Sequence, residues 1–142
     1  MNEVEYAWAA GFLDGEGCFF LTRKGQGCDE TTRTAGVHAS QMRKTPLEKL
    51  SFIFGGEVRI MRINDKGNAI YQWTRTGTTA IPVIEALLPY LIGKRDEAEA
   101  VLDYCKTIGR RGRSKFESRT LFYRARRQSI IHRHELARSN QS

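Results

Sequence analysis

Residues 9–17, with the sequence Ala-Ala-Gly-Phe-Leu-Asp-Gly-Glu-Gly, end the first predicted helix and decide the rest of the fold. The preceding residues from Val4 onward place apolar or small side chains at spacings of three and four, which predicts a helix over 4–15. Ala7, Gly11 and Gly15 share one stripe of that helix. Small residues at this spacing allow two backbones to approach closely, either inside a crowded core or against a second copy of the helix.

Two acidic residues, Asp14 and Glu16, lie at the C-terminal end of the same helix. A carboxylate there faces the negative end of the helix dipole, which is unfavourable. Solvation of both side chains is one explanation, and a divalent cation bound by their oxygens is the other. The motif taken alone is weak and does not decide between them.

The remaining sequence predicts two β-hairpins that alternate with helices. Strands are expected at 18–24 and 32–43, and again at 57–63 and 69–76 around an Asn-Asp-Lys-Gly-Asn turn. Between the hairpins, Thr45 is expected to cap a helix that begins at Pro46 and ends at Gly55. Helices are predicted at 79–91 and 94–108, with a further one possible at 116–137. The order indicates an α+β fold, with helices on one face of an antiparallel sheet.

Composition and charge distribution limit the class of protein. The 142 residues suit one domain, and no stretch is apolar enough for a transmembrane helix. Three cysteines (Cys18, Cys28 and Cys105) predict neither a disulfide framework nor a zinc site, and the acidic N-terminus does not resemble a secretory signal. We therefore expect an intracellular protein, cytoplasmic or organellar, with no membrane partner and no small-molecule cofactor.

The net charge is +7, and it is concentrated at one end of the chain. Residues 109–142 hold ten Lys and Arg against two Glu, whereas residues 1–108 are nearly neutral. We predict a core domain over 1–108 and a basic C-terminal extension over 109–142. Its basic residues would bind nucleic-acid phosphates: Arg110, Arg111, Arg113, Lys115, Arg119, Arg124, Arg126 and Arg127.

Residues 9–17 resemble the signature of the LAGLIDADG homing endonucleases, with Gly11, Asp14 and Gly17 at its third, sixth and ninth positions. The resemblance covers roughly residues 5–108 and implies an αββαββα fold, a β-saddle for DNA and metal-dependent cutting of both strands. Only one signature is present, which in this family implies a homodimer. The stripe of Ala7, Gly11 and Gly15 would then form the dimer interface about a two-fold axis.

The resemblance also implies the residues of the active site. Glu16 is at the eighth signature position and would bind Mg²⁺, with Mn²⁺ or Ca²⁺ able to substitute in binding, while Asp14 would have a structural role. The segment 40–50 is similar to one that places a glutamine at the active site, so Gln41 would position water. The segment 89–95 is similar to one that supplies a lysine, so Lys94 would stabilise charge on the phosphate.

Candidate base-reading residues lie along the predicted strands. These are Thr22, Lys24, Gln26, Thr32, Thr34, His38 and Ser40 on the first hairpin, and Arg59, Arg62 and Arg75 on the second. Met61 interrupts the alternation of the third strand, and Tyr71 and Trp73 suit the core as well as they suit DNA. His38 has no His or Cys partner at ligand spacing and is expected to be a polar strand residue.

The sequence thus predicts a homing endonuclease that makes a double-strand break in a long pseudo-palindromic DNA site. Two other functions on the same fold remain open: an RNA maturase that binds a structured intron, and a DNA-binding regulator without catalysis. A third alternative is a generic basic α+β domain, which would be monomeric.

Overall fold

The structure is a computed structural model that describes residues 2–22, 34–107 and 122–126. Its elements are α1 (Glu3–Glu16), β1 (Gly17–Leu21), β2 (Ala35–Gln41), α2 (Thr45–Phe54), β3 (Val58–Ile63), β4 (Ala69–Thr76), α3 (Ala80–Leu87) and α4 (Arg95–Thr107), with 3-10 turns at Gly77–Thr79 and Leu88–Tyr90. Residues 122–126 are helical. The α+β class and the αββαββα order are as predicted.

The ends of the first two helices follow from local chemistry. The Asn2 side chain caps α1 by accepting a hydrogen bond from the Glu5 amide at 3.0 Å, and the helix ends at Glu16 with Gly17 as its C-cap. The prediction that Thr45 caps α2 is wrong. Thr45 is already helical, and the preceding Lys44 has a helical backbone and no capping side-chain bond. Gly55 ends α2 with φ of +80°, a conformation that glycine adopts without steric cost.

The four strands form one antiparallel sheet in the order β1-β2-β4-β3. Each predicted hairpin supplies two neighbouring strands, and β2 and β4 join the hairpins at the centre. The register of β3 on β4 shifts between Ile60 and Arg62, so that Met61 forms a bulge where the sequence alternation fails.

One face of the sheet carries the hydrophobic core. Phe19 on β1, Val37 on β2 and Trp73 on β4 are fully buried on this helix face, where they join buried residues of all four helices. The Trp73 Nε1–H donates to the Gly55 carbonyl at 2.9 Å, which satisfies the buried indole. Trp73 is therefore a core residue, and Tyr71 is half-buried against the same cluster.

Part of the C-terminal extension also contacts this core, because Phe122 is fully buried within it. The remainder of the extension lies outside the described residues, and the domain boundary at 108 stays a prediction. Cys18 and Cys105 are free thiols, and Cys28 lies outside the described residues. Among the described helices, none has the length and apolar character needed to cross a membrane.

Candidate active site and nucleic-acid interface

The structure brings Glu16 and Gln41 together although they lie 25 residues apart in the sequence. Glu16 is the last residue of α1 and is exposed, whereas Gln41 is the last residue of β2 and is half-buried. The Gln41 Nε2 donates a hydrogen bond of 3.0 Å to the Glu16 Oε2. The amide thus restrains the carboxylate at the place where the end of the helix meets the end of a central strand.

Asp14 and Lys94 form a second contact between the end of α1 and the segment before α4. The Asp14 carboxylate accepts hydrogen bonds from the main-chain amides of Ile92 at 2.8 Å and Lys94 at 3.0 Å. In return, the Lys94 Nζ donates to the carbonyls of Leu13 at 3.1 Å and Gly17 at 2.5 Å. This ammonium group compensates the negative end of the helix dipole. We call this reciprocal arrangement the Asp14–Lys94 latch.

No described residue covers the surface beside Glu16. Ala7, Gly11 and Gly15 are all exposed, and a Cβ atom added to either glycine would meet nothing within 4 Å among the described residues. Within that part of the chain, the small side chains do not serve to fit a crowded core. They leave the backbone of α1 accessible for close contact with another surface.

Glu16 is the candidate ligand for a hard cation. Over the described residues, no three His, Cys, Asp or Glu side chains come together as a metal-binding group. Glu16 presents exposed carboxylate oxygens, the donor type that Mg²⁺ and Ca²⁺ prefer. A cation bound here would therefore need further ligands besides Glu16.

The second face of the sheet, here called the open face, lies opposite the helices. Alternation about the buried Trp73 places Gln72 and Thr74 on it, and the register sets them opposite Ser40 and His38 respectively. On β3, the other neighbour of β4, Arg59 is opposite Gln72 and Arg62 is opposite Ile70. Polar and basic side chains thus follow the open face across three strands.

Several of the predicted DNA-binding residues therefore share the open face, namely His38, Ser40, Arg59 and Arg62. Thr22 and Thr34 lie just beyond the ends of β1 and β2, where the Thr34 amide donates to the Thr22 hydroxyl at 2.8 Å. Lys24, Gln26, Thr32, Arg110, Arg111 and Arg113 lie outside the described residues.

Arg75 does not share the open face, and its role in DNA binding stays a prediction. Arg75 is opposite Val37 and so belongs to the helix face, where its side chain lies beside Gly55 and Gly56. Sequence reasoning also missed Gln72 and Thr74. The signal was available, because assigning Trp73 to the core forces both neighbours onto the open face.

His38 occupies the middle of the open face and is uncharged at neutral pH. Burial lowers the pKa of its imidazole from 6.5, and the positive charge of Lys94 lowers it further. Its ring contacts that of Phe20 at a centroid distance of 5.2 Å. Positive charge in the described part of this face therefore comes from its arginines rather than from His38.

Several solved structures with this architecture are homing endonucleases. The homing endonuclease I-CvuI in complex with its target in the presence of 2 mM Ca superposes with a TM-score of 0.67 at 25% identity, over 87% of this chain and 80% of that one. The archaeal intron-encoded homing endonuclease I-Vdi141I, complexed with DNA, has a TM-score of 0.70 at 14% identity, over 88% and 84%. The LAGLIDADG meganuclease I-AabMI, bound to uncleaved DNA, has a TM-score of 0.64 at 19% identity, over 86% of this chain but 44% of that one.

The chain has the fold of the LAGLIDADG homing endonucleases. No protein-family model matches the sequence, and no curated protein matches it. The likeness is therefore carried by the three-dimensional arrangement. In this homing-endonuclease fold, the signature residues Gly11, Asp14 and Gly17 lie on α1 and at its end, with Glu16 held by Gln41.

Proposed function

We propose that the chain is one half of a homodimeric, site-specific DNA endonuclease that cuts both strands of a long pseudo-palindromic site by metal-dependent phosphodiester hydrolysis. The observation that carries this proposal is the restrained, exposed Glu16 carboxylate beside the bare stripe of Ala7, Gly11 and Gly15. Two such stripes packed about a two-fold axis would bring the two Glu16 side chains together.

A comparison of fold units supports a dimer. The described residues form one αββαββα unit, and the match to I-AabMI spans 44% of that longer chain. The four strands of one chain would make half of a DNA-binding saddle, and a second copy would extend it across two half-sites. The two-fold axis of such a dimer implies a pseudo-palindromic target.

The open face would contact the DNA. Arg59 and Arg62 can donate to guanine in the major groove, and Gln72 can pair with adenine. I-CvuI was solved with DNA that is not cleaved, and I-Vdi141I was solved complexed with DNA, which favours DNA as the ligand of this fold. We include His38 and Ser40 among the contacts, and the basic residues of 109–142 as phosphate contacts.

Each residue of the site has a proposed part in the chemistry. Glu16 from each protomer would hold Mg²⁺, which supplies charge to activate water and stabilise the leaving oxygen when bound. Gln41 would orient the Glu16 carboxylate and a water molecule. The two hydrogen bonds of Lys94 to carbonyls support a positioning role, with its charge directed at the end of α1.

The test is selection of cleaved duplexes from a randomised DNA library, with Mg²⁺ and separately with EDTA. We expect one family of pseudo-palindromic sites, cut on both strands only with the metal. Glu16→Gln should retain binding to the selected site and lose cleavage, because it removes the charged metal ligand.

Glu48→Gln is the matched control, since it neutralises an exposed glutamate that pairs with Lys44 on α2. It should cut at the wild-type rate. Full cleavage by Glu16→Gln in Mg²⁺ would refute the proposed role of this carboxylate. Tight binding of DNA or RNA without any cleavage by the wild type would favour the regulator or maturase function instead.

A further inference from the structure

A cavity of ≈ 470 Å³ lies at the edge of the sheet where β4 runs beyond the start of β3. It is lined by Gly56, Glu57, Arg59, Gln72, Thr74 and Arg75. Gln72 and Thr74 belong to the open face, so the cavity adjoins the surface proposed to contact DNA. It is concave and polar and contains two guanidinium groups, which suits an anionic or hydrogen-bond-accepting ligand.

Within this cavity, the carboxylate of Glu57 already accepts hydrogen bonds from the Arg59 guanidinium group. The Arg59 Nε and Nη2 donate to the same Glu57 oxygen, Oε2, at 3.0 and 2.8 Å. The two side chains are 79% and 73% exposed. An exposed ion pair of this kind contributes little to stability, so a ligand can exchange with it. Arg59 is thus restrained in the free protein but remains available.

The competition with Glu57 does not affect all ligands of Arg59 equally. An unrestrained arginine binds any phosphate along the duplex, without sequence preference. A phosphate that approaches Arg59 here must also come close to the negative charge of Glu57, and juxtaposed like charges disfavour the wrong partner. Guanine is neutral and offers O6 and N7 to both N–H groups of the fork, so it replaces the carboxylate without that repulsion.

We propose that Glu57 is a specificity-determining residue, which restrains Arg59 so that Arg59 selects guanine rather than any phosphate. The inference rests on the proposed function, because it requires duplex DNA on the open face. It goes further in assigning selectivity to an acidic residue that makes the interface less positive. Loss of Glu57 should strengthen binding to random DNA and weaken base selection.

The test compares Glu57→Gln with wild type by binding alone, so that catalysis does not enter. One measurement is the affinity for a random duplex over a series of salt concentrations. The other is the base preference in a binding selection from a randomised library. We expect Glu57→Gln to bind random duplex about 1.4- to fivefold more tightly, the range that corresponds to the energy of an exposed ion pair. The guanine preference at one position in each half-site should weaken.

Glu99→Gln is the matched control. Glu99 pairs with Arg95 on α4 at 3.3 Å, and both side chains are about half exposed, so this variant makes the same charge change in another exposed Arg–Glu pair. It should leave base preference unchanged. A second comparison uses Arg59→Ala, in which adding Glu57→Gln should no longer alter base preference, because the residue that Glu57 restrains is absent.

Two results would overturn the inference. Equal effects of Glu57→Gln and Glu99→Gln on base preference would show that Glu57 acts only through the net charge of the protein. A change in base preference that persists in the Arg59→Ala background would show that Glu57 acts through another group. Failure of the wild-type protein to bind any duplex would instead refute the proposed function itself, so the two failures are distinguishable.

Discussion

The Asp14–Lys94 latch leads to a prediction about stability, tested by Lys94→Met. Methionine keeps the length and apolar stem of lysine but cannot donate a hydrogen bond. The substitution therefore removes both contacts of Nζ, to the Leu13 and Gly17 carbonyls, and the positive charge at the end of α1. It leaves in place the main-chain amide of residue 94, to which Asp14 binds.

The expected loss follows from these contacts. A hydrogen bond from a charged donor contributes about 1.5–3 kcal/mol net when buried. Lys94 is only half-buried, and its attraction to the helix dipole is part of the same contacts, so the two bonds together are expected to contribute about 2 kcal/mol. For a chain near 150 residues, that loss lowers the melting temperature by about 4–8 °C.

Urea unfolding followed by circular dichroism measures this loss directly. The control is Lys106→Met, since Lys106 makes an exposed ion pair with Glu85 and should contribute less than about 0.5 kcal/mol. Asp14→Asn should cost about 1–2 kcal/mol, because an amide nitrogen cannot accept one of the two main-chain N–H bonds. The double variant should lose less than the sum, since both residues hold the same segment. A Lys94→Met variant as stable as wild type would refute the latch.

Further predictions concern packing and ionisation. Gly17→Ala should destabilise the protein by about 1–3 kcal/mol in urea, because its Cβ would lie 2.5 Å from the Leu13 Cδ2. Gly11→Ala, with nothing within 4 Å of the added Cβ among the described residues, should stabilise the monomer by up to about 1 kcal/mol and weaken self-association in sedimentation; unchanged association would contradict the proposed interface. Trp73→Phe should cost about 1–2 kcal/mol through the lost indole hydrogen bond, and a change below about 0.5 kcal/mol would show that this bond contributes little. Burial raises the pKa of Cys105 from 9.0 to about 11, so the folded state favours the thiol. The contribution of Cys105 to the free energy of unfolding should be constant below pH 9 and fall between pH 9 and 11 by up to about 1.4 kcal/mol per pH unit. The plot of unfolding free energy against pH should therefore show this fall for the wild type, and Cys105→Ala should lack it.

The helices and hairpins were predictable because their signals are local. The small residues of α1, the Pro46 and Gly55 at the two ends of α2, and the turn between β3 and β4 each act within a few residues. The error in predicting Thr45 as the N-cap of α2 also has a local cause. Lys44 takes a helical backbone, so α2 begins one residue earlier than predicted. The facing of the second hairpin was less predictable, because a bulge at Met61 changes the phase of β3.

The element order, the charge asymmetry and the acidic end of α1 follow from the sequence alone. Which distant groups meet depends on the tertiary structure. The Gln41 amide reaches Glu16, the Asp14–Lys94 latch joins residues 80 apart, and Arg75 turns to the helix face while Gln72 and Thr74 take the open one. Element type depends on neighbours along the chain, whereas these contacts depend on strand register and on how helices pack against a sheet. Register is set by burial of the whole helix face, which no single segment of sequence contains.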